Sequence, residues 1–345
     1  MRRSSGVSRK RLLPEITESP SESNRICSIV RAPGESLKMP LVAGYPYRFF
    51  GLNFISDRVI PGVSQASEIT VECAIHLEFG KAPAAIRAPE YEDESVQANG
   101  EEYLFHFPGI GRIYVRGGEY MLIEQVDGAD EVILWQLILG AGASIAGFRR
   151  GLVPIHASAV ASGDHCVAFA GQSTAGKSTL AALLNGLGYD LHADDLCLAD
   201  CSGEHVMVGS GVSELRLCDD AVGTAGWQDI EPYARHASAA KSVFRWNETR
   251  NASRRLQSIY VLEFASAGVE PGIYPITGIE TLEALIDCLR LRLPLLLTGP
   301  AKRYFQLLTT LTRQVAMFRF VRPRDLQQSR YWTEYLAAHF EKESM

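Results

Sequence analysis

The sequence predicts an α/β fold: a mixed sheet with a β-hairpin leading into a glycine-rich loop, flanking helices, and a mostly-β module in front. Three observations predict it. Gly171-Gln172-Ser173-Thr174-Ala175-Gly176-Lys177-Ser178 fits G-x-x-x-x-G-K-[ST] and runs on into Thr179. An apolar run at 166–170 precedes it and a helix-forming run at 178–186 follows, so strand, loop and helix stand in the order that makes this pattern a P-loop. A second strand-like run, 152–162, joins the loop's own strand through Gly163-Asp164. The P-loop strand therefore reads as the second arm of an antiparallel hairpin, where most P-loop proteins use a parallel crossover.

Along the chain, residues 1–25 carry Arg2, Arg3, Arg9, Lys10 and Arg11 and then a Ser/Glu/Pro-rich stretch. They read as a disordered tail, with a basic docking arm as the alternative, and lack the apolar centre of a signal peptide. Residues 37–130 form the mostly-β module, with short aromatic or β-branched runs at 47–56, 69–77, 102–107 and 113–116. The acidic cluster Glu90, Glu92, Asp93 and Glu94, and Asn99-Gly100, read as turns. Residues 131–345 form the P-loop domain. Its opening stretch, 132–148, is apolar but short for a membrane span and broken by Gly140, Gly142 and Gly147, so it predicts a buried helix. Strands are expected at 189–193, 196–199, 205–208, 214–217, 258–264 and 317–321. Helices are expected at 280–293, 301–315 and from 323 to the end.

Composition narrows the function classes. Over 345 residues, 46% hydrophobic and 21% charged content is that of a globular chain, and a net charge of −6 leaves no general basic surface for a nucleic-acid backbone. The seven cysteines are odd in number, scattered and without a C-x-x-C pair, which implies a reducing cytoplasm and neither a disulfide framework nor a zinc site. Neither nucleic acid nor membrane is expected as a partner.

The P-loop states a chemistry. Its glycines let successive N–H groups turn toward one phosphate chain, and the helix that starts there presents free N–H groups and a positive dipole end to the same anion. Gly171 to Thr179 are thus the candidate ATP-binding residues, with Lys177 on the β- and γ-phosphates and the Ser178 hydroxyl on Mg²⁺. Asp194-Asp195 follow one helix and one strand later, where a phosphotransferase needs one carboxylate for the metal and one for the proton of an attacking hydroxyl. Hairpin pairing could carry His156 to the same end of the sheet. Glu214 and Arg216 share one face of a strand and could assist at metal and phosphate or simply pair with neighbours. Lys241 and Arg245 could reach a γ-phosphate or face solvent on an edge strand.

These residues resemble the HPr kinase/phosphorylase C-terminal domain family, which has a strand with His, a tight hairpin, a P-loop, a helix and Ala-Asp-Asp. Here those are His156, Gly163-Asp164, Gly171 to Ser178, and Ala193-Asp194-Asp195, with Glu214-Leu215-Arg216 matching a downstream Glu-x-Arg. The close resemblance covers about residues 150–217. It implies an ATP- and Mg²⁺-dependent serine kinase acting on a peptide or protein, with Asp194 as the catalytic base, Asp195 and Glu214 on the metal side with Ser178, and His156 near the phosphates. Family members often form oligomers, so a homo-oligomer is among the forms the resemblance allows. Two positions differ: Thr179 stands where the family has Glu, and Leu217-Cys218-Asp219 replaces a glycine-rich continuation. With Phe49-Phe50-Gly51-Leu52 and Arg319-Phe320-Val321-Arg322-Pro323-Arg324-Asp325, the layout is similar to HPr-kinase-like proteins of bacterial peptide-biosynthesis clusters, lasso-peptide precursor kinases among them. A small-molecule phosphotransferase and a nucleotide-sensing module without turnover stand as alternatives. The acceptor is not legible.

Overall fold

A computed structural model describes residues 26–27, 43–61, 63–236, 240–246, 252–299 and 301–343. The tail expected at 1–25 lies outside the described residues. In the C-terminal part, the P-loop strand His165–Ala170 pairs antiparallel with Ala157–Ser162 and parallel with Ser253–Phe264. Ser162 faces His165, so Gly163-Asp164 is a two-residue turn, and Gly163 takes the left-handed φ of 58° that such a turn asks of its first residue. The hairpin is therefore as the sequence predicts. The sheet runs Leu152–Ile155, Cys197–Asp200, Met207–Gly209, Ser253–Phe264, His165–Ala170, Ala157–Ser162, Asp190–Ala193. Ala316–Arg322 adds in parallel along the far half of Ser253–Phe264 and carries Gly272–Ile276 on its other side.

Both faces of this sheet are covered, which is why its strands read as unbroken apolar runs. Alternation along each strand sorts side chains by size. Phe169, Tyr260, Phe318 and Phe320 face the helices Lys177–Gly186 and Ser329–Glu343. Ala168, Ala170, Ile259 and Met317 face Ile279–Asp287 and Ala301–Gln314 through Leu285, Leu308 and Leu311. A separate three-stranded sheet places Lys241–Arg245 between Glu214–Cys218 and Ala234–His236. It is a central strand with Val243 and Phe244 buried, not the solvated edge that was one of its two readings.

The N-terminal part is a nine-stranded sheet in the order Ile26–Cys27, Ala43–Phe49, Leu52–Ser56, Ile75–Phe79, Tyr120–Gln125, Gly111–Arg116, Glu102–Phe107, Val96–Ala98, Tyr91–Glu92. The run 47–56 is a hairpin that turns at Phe50-Gly51, both at positive φ (56° and 75°). The run 69–77 is a short helical turn, Val71–Cys73, followed by Ile75–Phe79. The acidic cluster expected as a turn carries the strand Tyr91–Glu92 before Asp93 turns the chain with bonds to Ser95 and Val96 N–H. In the C-terminal part, 280–293 is two helices, Ile279–Asp287 and Arg292–Leu297, because Leu291 sits at φ 57°. The last helix begins at Ser329 rather than 323.

The apolar stretch 132–148 is helical from Glu131 to Arg149, with a π-helical turn at Ile138–Gly142, and is mostly buried. Asp130 caps its start by accepting from Val132 and Ile133 N–H. Leu134, Trp135, Ile138 and Ile145 pack with Phe54, Leu77, Ile113 and Met121 of the N-terminal sheet, and with Leu198 and Tyr304 of the C-terminal part. One apolar cluster thus spans both parts.

The Phe50-Gly51 turn presses on the loop after Met207–Gly209. Phe50 N–H donates to Ser210 O at 2.6 Å, and a Cβ added at Gly209 would lie 2.1 Å from Gly51 N. Gly209→Ala should therefore cost about 1–3 kcal/mol, the usual penalty of overpacking. Gly223→Ala, with nothing within 4 Å of the new Cβ, should change stability by less than about 0.5 kcal/mol. Urea unfolding of the two variants checks the pair, and equal midpoints would contradict the contact.

Candidate active site

The P-loop bends where its glycines allow. Gly171 and Gly176 take φ of 136° and 85°, and Thr174 takes 65°. Lys177 opens the helix and is only 7% exposed. Its Nζ donates to the carbonyls of Gly171 (2.9 Å) and Gln172 (3.0 Å), so the ammonium is folded over its own loop. Burial pulls its pKa down, while Asp194 and Asp195 push it back up.

Asp194 and Asp195 are adjacent in sequence and diverge in space, because Asp195 adopts a left-handed φ of 69°. One oxygen of Asp194 accepts from Ser158 Oγ (2.5 Å) and Ser178 Oγ (2.8 Å), and the other from Arg216 N–H (2.9 Å). Burial raises the Asp194 pKa against those three bonds. Asp195 turns the opposite way, to Arg216 Nη1 (3.1 Å) and Arg290 Nη1 (3.0 Å). Burial alone would raise its pKa. Arg216 and Arg290, with His156 and Lys177, outweigh that and hold it well below the usual carboxylate range.

His156 sits between the strands Leu152–Ile155 and Ala157–Ser162, two residues from Ser158 and on the same face. Its Nδ1 lies 3.1 Å from Arg290 Nη1 and its Nε2 3.5 Å from Asp195 Oδ1. Burial, then Lys177 and Arg290, lower its pKa to about 4, against the pull of Asp195. The His156–Asp195 contact is thus not a charge pair at neutral pH. A ring nitrogen that accepts a hydrogen bond from arginine carries no hydrogen of its own, so Nδ1 accepts and Nε2 holds the hydrogen that faces Asp195.

The structure brings His156, Lys177, Ser178, Asp194 and Asp195 to one cavity of about 340 Å³, with Arg216 and Lys241 on its wall. Glu214 is not on that wall but lines a second, small hollow with Asp194, Asp195 and Arg216. It pairs with Arg245 at 3.8 Å, and Arg245 also donates to Pro61 O and lies over the Tyr233 ring. Of the two cations expected to reach phosphate, only Lys241 lines this cavity. Arg290, Ser158 and Arg322 were not read from the sequence as site residues. Arg290 falls in the break between two helices, and the one local signal was the strand-like Leu289-Arg290-Leu291-Arg292-Leu293 alternation. Ser158 is the fully buried polar residue of an alanine-rich strand. Arg322 donates to Ala175 O, and burial lowers its pKa to about 10, so it remains a cation behind the loop at pH 7.

The groups suit an anion with several charges. Lys177, Arg216, Lys241, Arg322 and Arg324 line the cavity beside Asp194, Asp195, Asp220 and Asp325, and Arg290 is held on Asp195, so several cations stand next to carboxylates in one concave site. Among the described residues no cluster of three or more His, Cys, Asp or Glu could enclose a metal ion by itself. Magnesium in a phosphate site needs only one or two protein ligands, and the Ser178 hydroxyl and Asp194 oxygen already meet.

No family model matches the chain, and no curated protein matches it. Among solved structures, the Hpr(Ser) kinase/phosphatase from Coxiella burnetii is similar at 10% identity and a TM-score of 0.28, over 55% of this chain and 92% of that one. A score that low adds nothing to the reading of individual residues.

Because His156 folds neutral, the unfolded chain binds more protons than the folded one between its ordinary 6.5 and about 4. Stability from this group is complete above that window and is lost as pH falls through it. His76 and His192 are shifted the same way by burial, so the test is a difference. His156→Asn should flatten the fall in melting temperature between pH 6.5 and 4 relative to the parent chain, and an unchanged slope would contradict the buried neutral imidazole.

Proposed function

We propose that this chain is a phosphotransferase that moves the γ-phosphate of ATP, with Mg²⁺, to a serine hydroxyl of a peptide or protein. The observation that carries the reading is the 2.8 Å contact of Ser178 Oγ, on the P-loop helix, with Asp194 at the end of the next strand. A P-loop whose serine meets a buried carboxylate is equipped for a nucleotide and its metal. The peptide or protein serine as acceptor follows from the resemblance to HPr-kinase-like proteins.

The Ser178 contact also favours an exchange of the two carboxylate roles that the resemblance implies. Ser178 and Asp194 would hold Mg²⁺, with Glu214 outside that set. When bound, Mg²⁺ supplies neutralisation of the charge on the phosphates. The loop N–H groups and Lys177 bind the β- and γ-phosphates, Lys177 exchanging its two carbonyl partners for phosphate oxygens. Asp195 faces the acceptor. The serine hydroxyl gives its proton to this carboxylate as its oxygen bonds to the γ-phosphorus, and the bond from that phosphorus to the departing ADP oxygen breaks. Arg216 and Arg290 fix the rotamer of Asp195 and keep it ionised, and neutral His156 holds the Arg290 head. A carboxylate so strongly stabilised is a weak base. That suffices where the transition state is loose and the proton moves late.

The reading is tested with γ-labelled ATP, Mg²⁺ and a panel of acceptors: HPr, precursor peptides and small hydroxyl compounds, with Lys177→Ala as the blank. Label on a peptide or protein serine, absent in the blank, is expected. Label on small compounds alone would contradict the acceptor class, and ATP binding without label anywhere would contradict the reaction. Asp195→Asn should keep ATP affinity and lower transfer by at least about a hundredfold, the size of a general-base contribution. Transfer at the parental rate in that variant would remove Asp195 from the role.

A further inference from the structure

The cavity continues well past the triphosphate-binding residues. From Lys177 and the two aspartates it runs along Thr179, Leu180 and Leu183, on one side of the P-loop helix, to a second wall built by the C-terminal segment. That wall contains Phe264, Arg322, Arg324, Ser329 and Trp332. Helix Ser329–Glu343 packs on helix Lys177–Gly186, so the wall is anchored to the loop that would hold the phosphates. Arg322 ties it closer still, since its guanidinium donates to the P-loop carbonyl of Ala175.

We propose that this C-terminal wall is the nucleoside subsite of the triphosphate site, and that it holds the base by stacking rather than by reading its edge. The inference rests on the P-loop reading above and adds to it which residues take the rest of the nucleotide. Arg322 and Arg324 both lie over the Phe264 ring, with guanidinium carbons 4.9 and 5.3 Å from its centroid. Flat cations layered on an aromatic ring are a stacking platform that every base can use. Trp332 adds a second large ring, half-buried and beside Phe320. The carboxylate on this wall is turned to its own chain. Asp325 accepts from Gln327 N–H (2.9 Å) and Gln328 Nε2 (2.9 Å) to cap the turn ahead of the last helix. The volume of about 340 Å³ lies in the usual range of small-ligand pockets.

The test is calorimetric titration of the full-length chain with ATP, GTP and inorganic tripolyphosphate, each with Mg²⁺, for the parent, Phe264→Ala and Trp332→Leu. Both variants should lose about tenfold or more in ATP and GTP affinity, the range of a lost base stack. Their tripolyphosphate affinity should stay within about twofold of the parent, because that ligand has no base to stack. The parent should bind ATP and GTP within about threefold of each other, as stacking tolerates any base. Equal losses for nucleotide and tripolyphosphate, or no loss for either, would overturn the subsite while leaving the P-loop reading intact. A parental preference of about thirtyfold or more for one base would overturn the stacking readout, since edge-reading contacts discriminate on that scale. A parent that binds none of the three ligands would overturn the P-loop reading and this one with it. Should Trp332→Leu melt early, Trp332→Phe replaces it with ATP-induced tryptophan fluorescence as the readout. A change seen in the parent and absent in that variant supports the subsite, and a change of equal size in both overturns it.

Discussion

Two consecutive carboxylates are buried at the end of one strand, and the rest of the site is arranged to make that tolerable. Removing a carboxylate from water costs several kcal/mol unless donors replace the lost hydration. Asp194 finds them on the hairpin (Ser158), the P-loop helix (Ser178) and the backbone of Arg216. Asp195 finds them on the Arg216 and Arg290 side chains. The left-handed φ at Asp195 lets neighbours in sequence serve two separate sets of donors, at a strain of roughly 1–3 kcal/mol. Four pieces of chain that are far apart in sequence are thereby fixed to one dipeptide. The two carboxyls are also split electrostatically: burial pushes Asp194 up against its donors, while two arginines hold Asp195 down.

The N-terminal part reaches the same place from behind. Gly140, in the π-helical turn, would carry a Cβ 3.3 Å from Arg290 Nη2 and 3.7 Å from Asp195 Oδ2, so that helix backs directly on the pair. Phe50, buried at an unfavourable φ, lies against the loop that feeds Glu214–Cys218. A π-turn and a bulky residue at positive φ are local costs, and both occur where the N-terminal sheet meets the C-terminal part. The apolar cluster that spans both parts makes the contact a packed one.

Much of this was legible in the sequence because its signals are local. The hairpin announced itself through Gly163-Asp164 between two apolar runs, and the P-loop through a fixed spacing. The Phe50-Gly51 hairpin was hidden, since phenylalanine at a left-handed turn position carries none of the usual Asn-Gly or Asp-Gly signature. The break at Leu291 was hidden likewise: no glycine stands there, and Pro294 follows three residues on, in the first turn of the next helix. It forms because Arg290 N–H donates to Pro154 O and Leu289 bridges to Ile155. That tertiary bond positions Arg290 toward His156 and Asp195, so the cation was as unreadable as the break itself. Glu214 and Arg216 share a strand face in sequence. Their separation onto Arg245 and Asp195 depends on neighbours that only the folded chain supplies.

If Ser178 and Asp194 hold the metal of a nucleotide site, the metal's contribution to ATP affinity runs through that carboxylate. The most direct test is ATP affinity with and without Mg²⁺, by calorimetry, in the parent chain and in Asp194→Asn. The account predicts that Mg²⁺ tightens ATP binding to the parent and that Asp194→Asn abolishes most of that gain while leaving metal-free affinity near the parental value. An Asp194→Asn chain that gains as much from Mg²⁺ as the parent would contradict it.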